Sequence, residues 1–302
     1  MAAFDWLSKL RERQGEVVTR AQLLAGITVD GEHIPLVSAA QGIHKPRVLD
    51  LPISILTTPE VEGQPRPYDD AIEDSGLISY RYRGGPQDIH HRDNEGLRTL
   101  MRRRLPLIYF VGIVRGEYLP QWPVYITGDD PGALSFTVAV DDYGVLRPNL
   151  TDVGASLAAE DAGLARRAYV TTVAKRRIHQ TGFRIRVLRA YRERCTICTL
   201  GHKELLDAAH IIPDSEPEGL PLVTNGLALC KLHHAAFDQG ILGISPDYDI
   251  HVRMDILEEK DGPMLVHGLQ EWQDRLIHPP RRSDLRPDRD LLAQRFERFQ
   301  SR

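Results

Sequence analysis

The sequence has few cysteines, no long apolar run and little net charge. Three cysteines among 302 residues cannot form a disulfide framework. Such frameworks are typical of small secreted domains, which have a larger and even number of cysteines. No apolar run approaches the roughly 20 residues that a membrane-spanning helix needs. The N-terminus also lacks the apolar segment and small-residue cleavage site of an export signal. We therefore expect a cytoplasmic protein without membrane association, and its composition, 42% hydrophobic and 26% charged, is that of an ordinary globular protein.

The net charge of −4 at pH 7 argues against a general nucleic-acid binder, but the charges are unevenly distributed. Between positions 165 and 205, eleven Lys or Arg face two acids, a local charge of 11 − 2 = +9. A solvated helix face can give this pattern, but a basic surface is also typical of phosphate binding. The segment runs directly into the cysteines, which favours the second interpretation. We expect contacts with the DNA backbone from Lys175, Arg176, Arg177 and Arg184.

Hydrophobic periodicity predicts that the first half of the chain is rich in strands. Residues 4–25 predict two short helices with a break near Gly15, the second capped by Thr19 and closed by Gly26. From about 34 to 145, at least six short apolar runs, including PLIYFVGIV, alternate with turn-forming residues. One helix, from Asn94 to Arg104, interrupts them. This pattern indicates a barrel or a strongly bent sheet.

The second half predicts a separate domain. We place an N-terminal domain at residues 1–155, a basic linker helix at 156–182 and a second domain at 183–302. The linker leads into an amphipathic helix from Phe183 to Arg194, whose apolar face contains Val187 and Leu188. Alternation returns from Ile241 to Arg253, and a helix is expected from Asp288 to Phe299. The predicted fold class is α+β.

All three cysteines lie between Cys195 and Asp238. The pairs Cys195-x-x-Cys198 and Cys230-x-x-His233 have the ligand types of one tetrahedral zinc site. The segment NGLALCKLHHAAF predicts a helix that starts at residues 225–226, so that Cys230 and His233 share a face. The pairs are 230 − 198 − 1 = 31 residues apart, whereas a simple C2H2 finger has a spacer of about 12–15 residues. We therefore predict a structural Zn²⁺ with a large insert between its ligand pairs, the alternative being chance burial of three cysteines.

The insert and the helix carry polar residues that a core does not need. A lone His in an apolar strand, such as His210 in LLDAAHIIP, is usually a core residue. Here a strand, a loop and a helix could bring His210, Asn225 and His234 together, with zinc on the other side of the helix. Such a group is suited to metal-assisted hydrolysis. His233 and His234 could exchange roles, because Cys230 and His234 are four residues apart.

The strings FRIRVLRAYRERCTIC, DAAHIIP and NGLALCKLHHAAFDQG resemble the HNH nucleases, the ββα-metal class, in their zinc-stapled form. The resemblance covers about residues 175–250. It implies that His210 is the general base that deprotonates the attacking water. It also implies that Asn225 braces the loop and orients the His210 ring, and that His234 ligates a catalytic divalent cation, Mg²⁺ or Mn²⁺.

The sequence departs from this family at one position. Many HNH nucleases have an Asp or His, a further metal ligand, immediately before the general base, but this chain has Ala209. Asp207 lies two residues further back on the same strand face and is the expected substitute ligand. Ala209 also leaves open a zinc-stapled DNA-binding protein whose catalytic centre has decayed.

The segment YDDAIEDSGLISYRYRG, from Tyr68 to Gly84, resembles the centre of SRA domains, which read modified cytosine by base flipping. The resemblance extends loosely over residues 30–150 and implies an SRA/PUA-like β-barrel. It implies that Tyr68 and Tyr82 stack on the flipped base, that Asp70 accepts a hydrogen bond from its exocyclic amine, and that the backbone near Gly84 adjoins the 5-substituent. Alternatively, the tyrosines are ordinary strand residues and the acids form a solvated turn.

Together, the two resemblances predict a modification-dependent restriction endonuclease of the SRA-HNH kind. Its partner would be double-stranded DNA that contains 5-methylcytosine-type bases, and Arg83 and Arg92 are further candidates for backbone contacts. A nuclease with one site that cuts both strands suggests a homodimer, because a two-fold axis matches the symmetry of the duplex. The alternative is an HNH endonuclease for unmodified or otherwise modified DNA.

Overall fold

The computed structural model describes residues 2–38, 41–59, 78–140 and 157–301, and for residues 157–170, 172 and 175 it describes the backbone alone. By their contacts the residues form two compact units, Met1–Ile178 and His179–Arg302. The domain limits that the sequence suggested, at 155 and 183, stay a prediction. Each unit is described by itself.

The first unit contains four helices and nine strands among its described residues. In chain order they are α1 (Ala2–Gln14), β1 (Val18–Thr19), α2 (Arg20–Ala25), β2 (Ile27–Val29), β3 (Glu32–Ile34), β4 (Ile43–His44), β5 (Ser54–Leu56), β6 (Ile78–Arg81), α3 (Arg92–Arg103), β7 (Leu107–Val114), β8 (Glu117–Asp130), β9 (Ser135–Val140) and α4 (Leu157–Ala190), which ends in the second unit.

Seven of these strands form one curled sheet. Its order is β4-β5-β7-β8-β9-β6, with β1 paired to β8, and every pairing is antiparallel except that of β5 with β7. The 14-residue strand β8 has register shifts against both β7 and β9, and such bulges bend and twist a sheet. The α+β class is confirmed, whereas the described residues do not show a closed SRA-like barrel.

Strand β7 is buried on both faces of this sheet. Tyr109 belongs to one hydrophobic cluster, together with Leu97 of α3. Its neighbour Phe110 belongs to another cluster, together with Phe4 of α1. Successive side chains of a strand point to opposite faces, so a strand with helices on both sides must be apolar throughout, as the run PLIYFVGIV is.

The helix that the sequence predicted after Thr19 is confirmed as α2. The Thr19 hydroxyl accepts from the backbone N–H of Gln22, and the Gln22 side chain accepts from the Thr19 backbone N–H, which together form a capping box. Gly26 ends the helix with a φ of +54°. A Cβ there would lie 2.1 Å from the Ile34 carbonyl oxygen, so the close approach of β3 requires glycine.

The second unit begins in the last turns of α4. Its further elements in chain order are β10 (Leu206–His210), β11 (Gly226–Cys230), α5 (Lys231–Asp238), β12 (Leu242–Ile244), β13 (Ile250–Val252), α6 (Met254–Glu258), α7 (Pro263–Gly268) and α8 (Arg289–Gln300). The predicted C-terminal helix is confirmed as α8, with Asp288 as its N-cap.

A hairpin and a helix form the centre of this unit. Strands β10 and β11 are antiparallel, with His210 opposite Gly226 and Leu206 opposite Cys230, and α5 follows at once. The prediction that the helix starts at Asn225 is therefore wrong: residues 226–230 are a fully buried strand. A short apolar run such as GLALC fits a buried strand as well as a buried helix, and periodicity alone does not distinguish the two.

The amphipathic helix predicted from Phe183 to Arg194 is the end of the much longer α4, and it stops at Ala190. Its predicted apolar face is confirmed, because Phe183, Val187 and Leu188 are buried in the core of the second unit. In the described part of the chain, no helix combines the length and apolar character needed to cross a bilayer.

Candidate functional site

The three cysteines and His233 converge in the second unit. Their four ligand atoms all lie within 4.8 Å of one another. The Sγ atoms of Cys198 and Cys230 are 3.9 Å apart, and Cys195 Sγ is 3.5 Å from His233 Nδ1. Tetrahedral zinc, with bonds of about 2.3 Å to sulfur and 2.0–2.1 Å to nitrogen, requires S–S and S–N separations of about 3.8 and 3.5 Å. The cluster could therefore hold zinc, as the sequence predicted.

Local hydrogen bonds position these ligands. Cys195 and Cys198 lie in a tight turn in which the Cys195 N–H donates to the Leu200 carbonyl. Cys230 is the N-cap of α5 rather than a residue within it, and His233 lies in the first helical turn. His233 Nε2 is 2.8 Å from the Gly268 carbonyl oxygen. This acceptor fixes the tautomer, as is usual for a metal-bound imidazole, and leaves Nδ1 to face the sulfur atoms.

His210 ends β10 and lies against an aromatic ring. Its imidazole is stacked on the Phe183 ring, with centroids 3.9 Å apart and planes 15° from parallel. Nε2 is buried and has no hydrogen-bond partner among the described residues. Burial is the main reason why the pKa of His210 lies below its usual value of 6.5. The ring is therefore neutral at physiological pH and can accept a proton.

Asn225 closes the loop that follows His210. Its side chain is buried, and its Oδ1 accepts from the Ile212 N–H at 2.9 Å. Its Nδ2 donates to the carbonyls of Ile212 and Leu220, both at 3.0 Å. These bonds brace the loop backbone, whereas the His210 ring is packed by Phe183.

His234 lies between two carboxylates. Its Nδ1 is 3.5 Å from Asp207 Oδ2, and its Nε2 is 3.2 Å from Asp238 Oδ2. These carboxylates, Asp238 first, raise the pKa of His234 against the opposing effect of burial. Because the two ring nitrogens point in different directions, each carboxylate has its own side of the imidazole. A cation bound to one nitrogen leaves the other to a hydrogen-bond acceptor.

The two carboxylates differ in their surroundings. Asp207 is also paired with Lys231 and with Arg184, so its oxygens already face cations. Asp238 is 52% exposed, and its charge acts on His210. Asp238 was missed in the sequence, although its i, i+4 spacing from His234 on a helix could have indicated it.

The predicted DNA-backbone residues fall into three groups. Arg92 and Arg176 are exposed. Three others bind groups of their own unit: Arg83 pairs with Asp93, Arg177 with Glu16, and Arg184 donates to the Leu206 carbonyl at 2.7 Å. The side chain of Lys175 lies outside the described residues. Part of the basic segment is therefore structural, and its role in DNA binding stays a prediction.

Two of the four predicted base-pocket residues, Tyr68 and Asp70, lie outside the described residues. Gly84 occupies an exposed turn with a φ of +81°. The Tyr82 side chain is buried, and its ring packs on Phe136 with centroids 4.6 Å apart. Tyr82 is thus a core residue here, and a role in base binding stays a prediction for all four.

A buried polar network adjoins Tyr82, and no sequence pattern indicated it. The Tyr82 hydroxyl donates to Asp129, and Arg98 Nε donates to the other Asp129 oxygen at 2.8 Å. The Arg98 guanidinium also lies 5.1 Å from the Tyr82 ring centroid. The hydrogen bonds to Asp129, Tyr82 and Glu95 outweigh burial and raise the pKa of Arg98. The network fixes α3 against the sheet.

Comparison with known proteins supports the nuclease interpretation of the second unit. Residues 195–245 match the family described as HNH endonuclease, and no curated protein matches the chain. Among solved structures, the "Modification dependent TagI restriction endonuclease" is similar at 18% identity and a TM-score of 0.30, over 97% of this chain and 90% of that one. A TM-score this low does not establish a common fold. The family match includes every predicted zinc and nuclease residue, so the chain contains an HNH endonuclease domain and is a metal-dependent DNA endonuclease.

Proposed function

We propose that this endonuclease is modification-dependent and cuts double-stranded DNA that contains 5-methylcytosine-type bases. The hydrolytic part rests on one observation: the neutral, half-buried imidazole of His210 lies on the same hairpin-and-helix unit as His234 and its carboxylates. The modified-base part rests on the resemblance of residues 68–84 to SRA domains.

His210 acts as the general base. Its half-buried ring is neutral and accepts a proton from the attacking water. The water oxygen then bonds to phosphorus, the bond from phosphorus to the leaving sugar oxygen breaks, and that oxygen takes up a proton from solvent water. Asn225 keeps the loop after His210 in place, and Phe183 keeps the ring in plane.

The residues around His234 fit a divalent cation, because imidazole and carboxylate are ligands that Mn²⁺ and Mg²⁺ accept. We assign the ligands to His234 Nε2 and Asp238, because these two atoms lie 3.2 Å apart and Asp238 is exposed. When bound there, the cation stabilises the charge that develops on the phosphate and the leaving oxygen. Asp207, the ligand expected from the sequence, instead accepts from Nδ1 and orients the ring.

The zinc cluster has a structural role in this proposal. Through zinc, Cys195 and Cys198 would tie the turn after α4 to the start of α5, where Cys230 is the N-cap and His233 lies in the first turn. His234 is adjacent to His233 in sequence and about 100° further round the helix, so it faces away from zinc. Zinc thereby fixes the helix that carries the catalytic ligands.

The N-terminal domain selects the target in this proposal. An SRA-like domain in residues 1–155 flips the modified base, with Tyr68, Asp70, Tyr82 and Gly84 around it. Since the Tyr82 ring is packed in the core, it would form the wall of the pocket, and Tyr68 is the candidate stacking face. A homodimer would place one nuclease site on each strand.

The decisive experiment compares cleavage of one plasmid in methylated and unmethylated form, with Mg²⁺ and with Mn²⁺. We expect cleavage of the methylated plasmid alone, and loss of that cleavage in His210→Ala. Equal cutting of both plasmids would refute recognition of a modified base, but it would not contradict the nuclease activity. Absence of any metal-dependent cutting that His210→Ala removes would refute the assigned active site.

A further inference from the structure

Arg295 lies in α8, well beyond residue 245 where the family match ends, yet it contacts the helix that carries the nuclease ligands. Its Nη2 donates to the Phe237 carbonyl at 3.2 Å. Its guanidinium carbon lies 4.9 Å from the centroid of the Phe237 ring, and the Phe237 side chain is buried. The Arg295 side chain thus contacts both the backbone and the ring of Phe237, the residue that precedes Asp238.

Helix α8 is itself held firmly in the second unit. Leu292 is fully buried in the core, and the backbone N–H of Asp288 donates to the Thr224 carbonyl at 2.9 Å. Both Nη atoms of Arg298 bind the Glu216 carboxylate, at 2.6 and 2.7 Å. Since Glu216 and Thr224 belong to the loop between His210 and Asn225, α8 bridges that loop and the end of α5.

The end of α5 carries a partial negative charge, which disfavours a carboxylate such as Asp238. The backbone N–H of Gly240 already donates to the Phe237 carbonyl at 3.2 Å. Arg295 adds a second, cationic donor to that carbonyl and also acts electrostatically on Asp238. The family match does not include this residue.

We propose that Arg295 is a positioning residue of the nuclease site: it fixes the last turn of α5 so that the Asp238 carboxylate is presented, together with His234, to the catalytic cation. This inference rests on the ligand assignment proposed above. Arginine suits the role because its planar group can stack on a ring while it donates to a carbonyl, whereas lysine cannot do both.

The test is direct binding of Mn²⁺ to the zinc-loaded full-length protein, measured by calorimetry without DNA. We expect Arg295→Gln to weaken Mn²⁺ binding about 10- to 100-fold, as loss of an outer partner of a metal ligand typically does. Arg289→Gln is the matched control on the same helix, because Arg289 contacts Asp247 and Tyr248. It should bind Mn²⁺ like the wild type.

A double-mutant cycle with Asp238→Ala separates positioning from general loosening. If Arg295 acts through Asp238, Arg295→Gln should weaken Mn²⁺ binding little further once Asp238 is gone. Wild-type Mn²⁺ affinity in Arg295→Gln, or fully additive effects, would overturn the inference. If Arg295→Gln loses zinc, Arg295→Lys takes its place: a several-fold loss of affinity supports the proposal and wild-type affinity overturns it. Failure of the wild type itself to bind Mn²⁺ or cut DNA would refute the proposed function instead.

Discussion

At the scale of single residues, the burial of His210 against Phe183 sets the pH range of the reaction. Only the neutral imidazole can take a proton from water, and burial holds the pKa of His210 below 6.5. At saturating metal, we expect the single-turnover cleavage rate to rise with pH and to reach half its maximum below pH 6.5. Measurement between pH 5 and 8 checks this.

The pKa of His234 predicts how the pH profile should change with metal concentration. Asp238 and Asp207 raise the pKa of His234, and a cation must displace a proton from that ring. At limiting metal, the half-maximal rate should therefore move to higher pH than at saturating metal. A profile that does not respond to metal concentration, or a half-maximum well above pH 6.5 at saturation, would contradict the assigned roles.

His210 itself can be tested by removal. Loss of a general base typically lowers the rate about 10²- to 10⁴-fold, so we expect His210→Ala to lose cleavage to that extent. The variant should remain folded and keep its zinc, because His210 is not among the four clustered ligands. A fully active His210→Ala would exclude this residue as the base.

Cys198 reports on the structural metal. Structural zinc contributes an apparent free energy of about 10–16 kcal/mol in zinc-finger peptides, which exceeds the stability of most domains. Cys198→Ala should therefore lose zinc and unfold the second unit. Zinc analysis and circular dichroism check this, with His210→Ala as the folded control. A Cys198→Ala variant that lacks zinc but remains folded would show that zinc is not needed for the fold of the second unit.

At the scale of elements, the end of α4 and the β10–β11 hairpin are packed too tightly for a methyl group at Gly226. A Cβ there would lie 2.4 Å from Val187 Cγ2 and 3.0 Å from the Phe183 ring, the ring on which His210 stacks. We expect Gly226→Ala to lower the free energy of unfolding by about 1–3 kcal/mol. It should also slow cleavage about 10-fold or more, since small displacements of catalytic groups are costly.

Gly262→Ala is the matched control for this substitution. A Cβ at Gly262 meets nothing within 4 Å, and its φ of −71° suits alanine. The control should unfold and cleave like the wild type. If Gly226→Ala does the same, the packing of Phe183 does not govern the position of His210.

At the scale of the whole molecule, strand cleavage depends on how many copies act together. If a homodimer places one site on each strand, the ratio of double-strand breaks to nicks should rise with protein concentration across the dimerisation range. Plasmid cleavage assays and analytical ultracentrifugation over the same concentrations check this. A ratio that stays constant while the protein changes from monomer to dimer would indicate that one copy cuts both strands in turn.

Residues close together in sequence were the part of the site that sequence could predict. The ligand set Cys195, Cys198, Cys230 and His233 follows from two short spacings and from the chemistry of sulfur and imidazole. The strand with His210 and the capped helix after Thr19 follow equally from local pattern. The start of α5 did not, because the apolar run before Cys230 suits either a strand or a helix.

The tertiary structure alone decided which distant groups meet. It placed Asp207 at Nδ1 of His234, and it brought Arg295 to the end of α5. It also turned Arg184 and Tyr82 inward, one to Asp207 and one to Phe136. Local sequence determines the zinc-ligand spacing and the helix caps, because these depend on residues that are neighbours in the chain. Contacts between residues 20 to 60 positions apart in the sequence form only when the core packs.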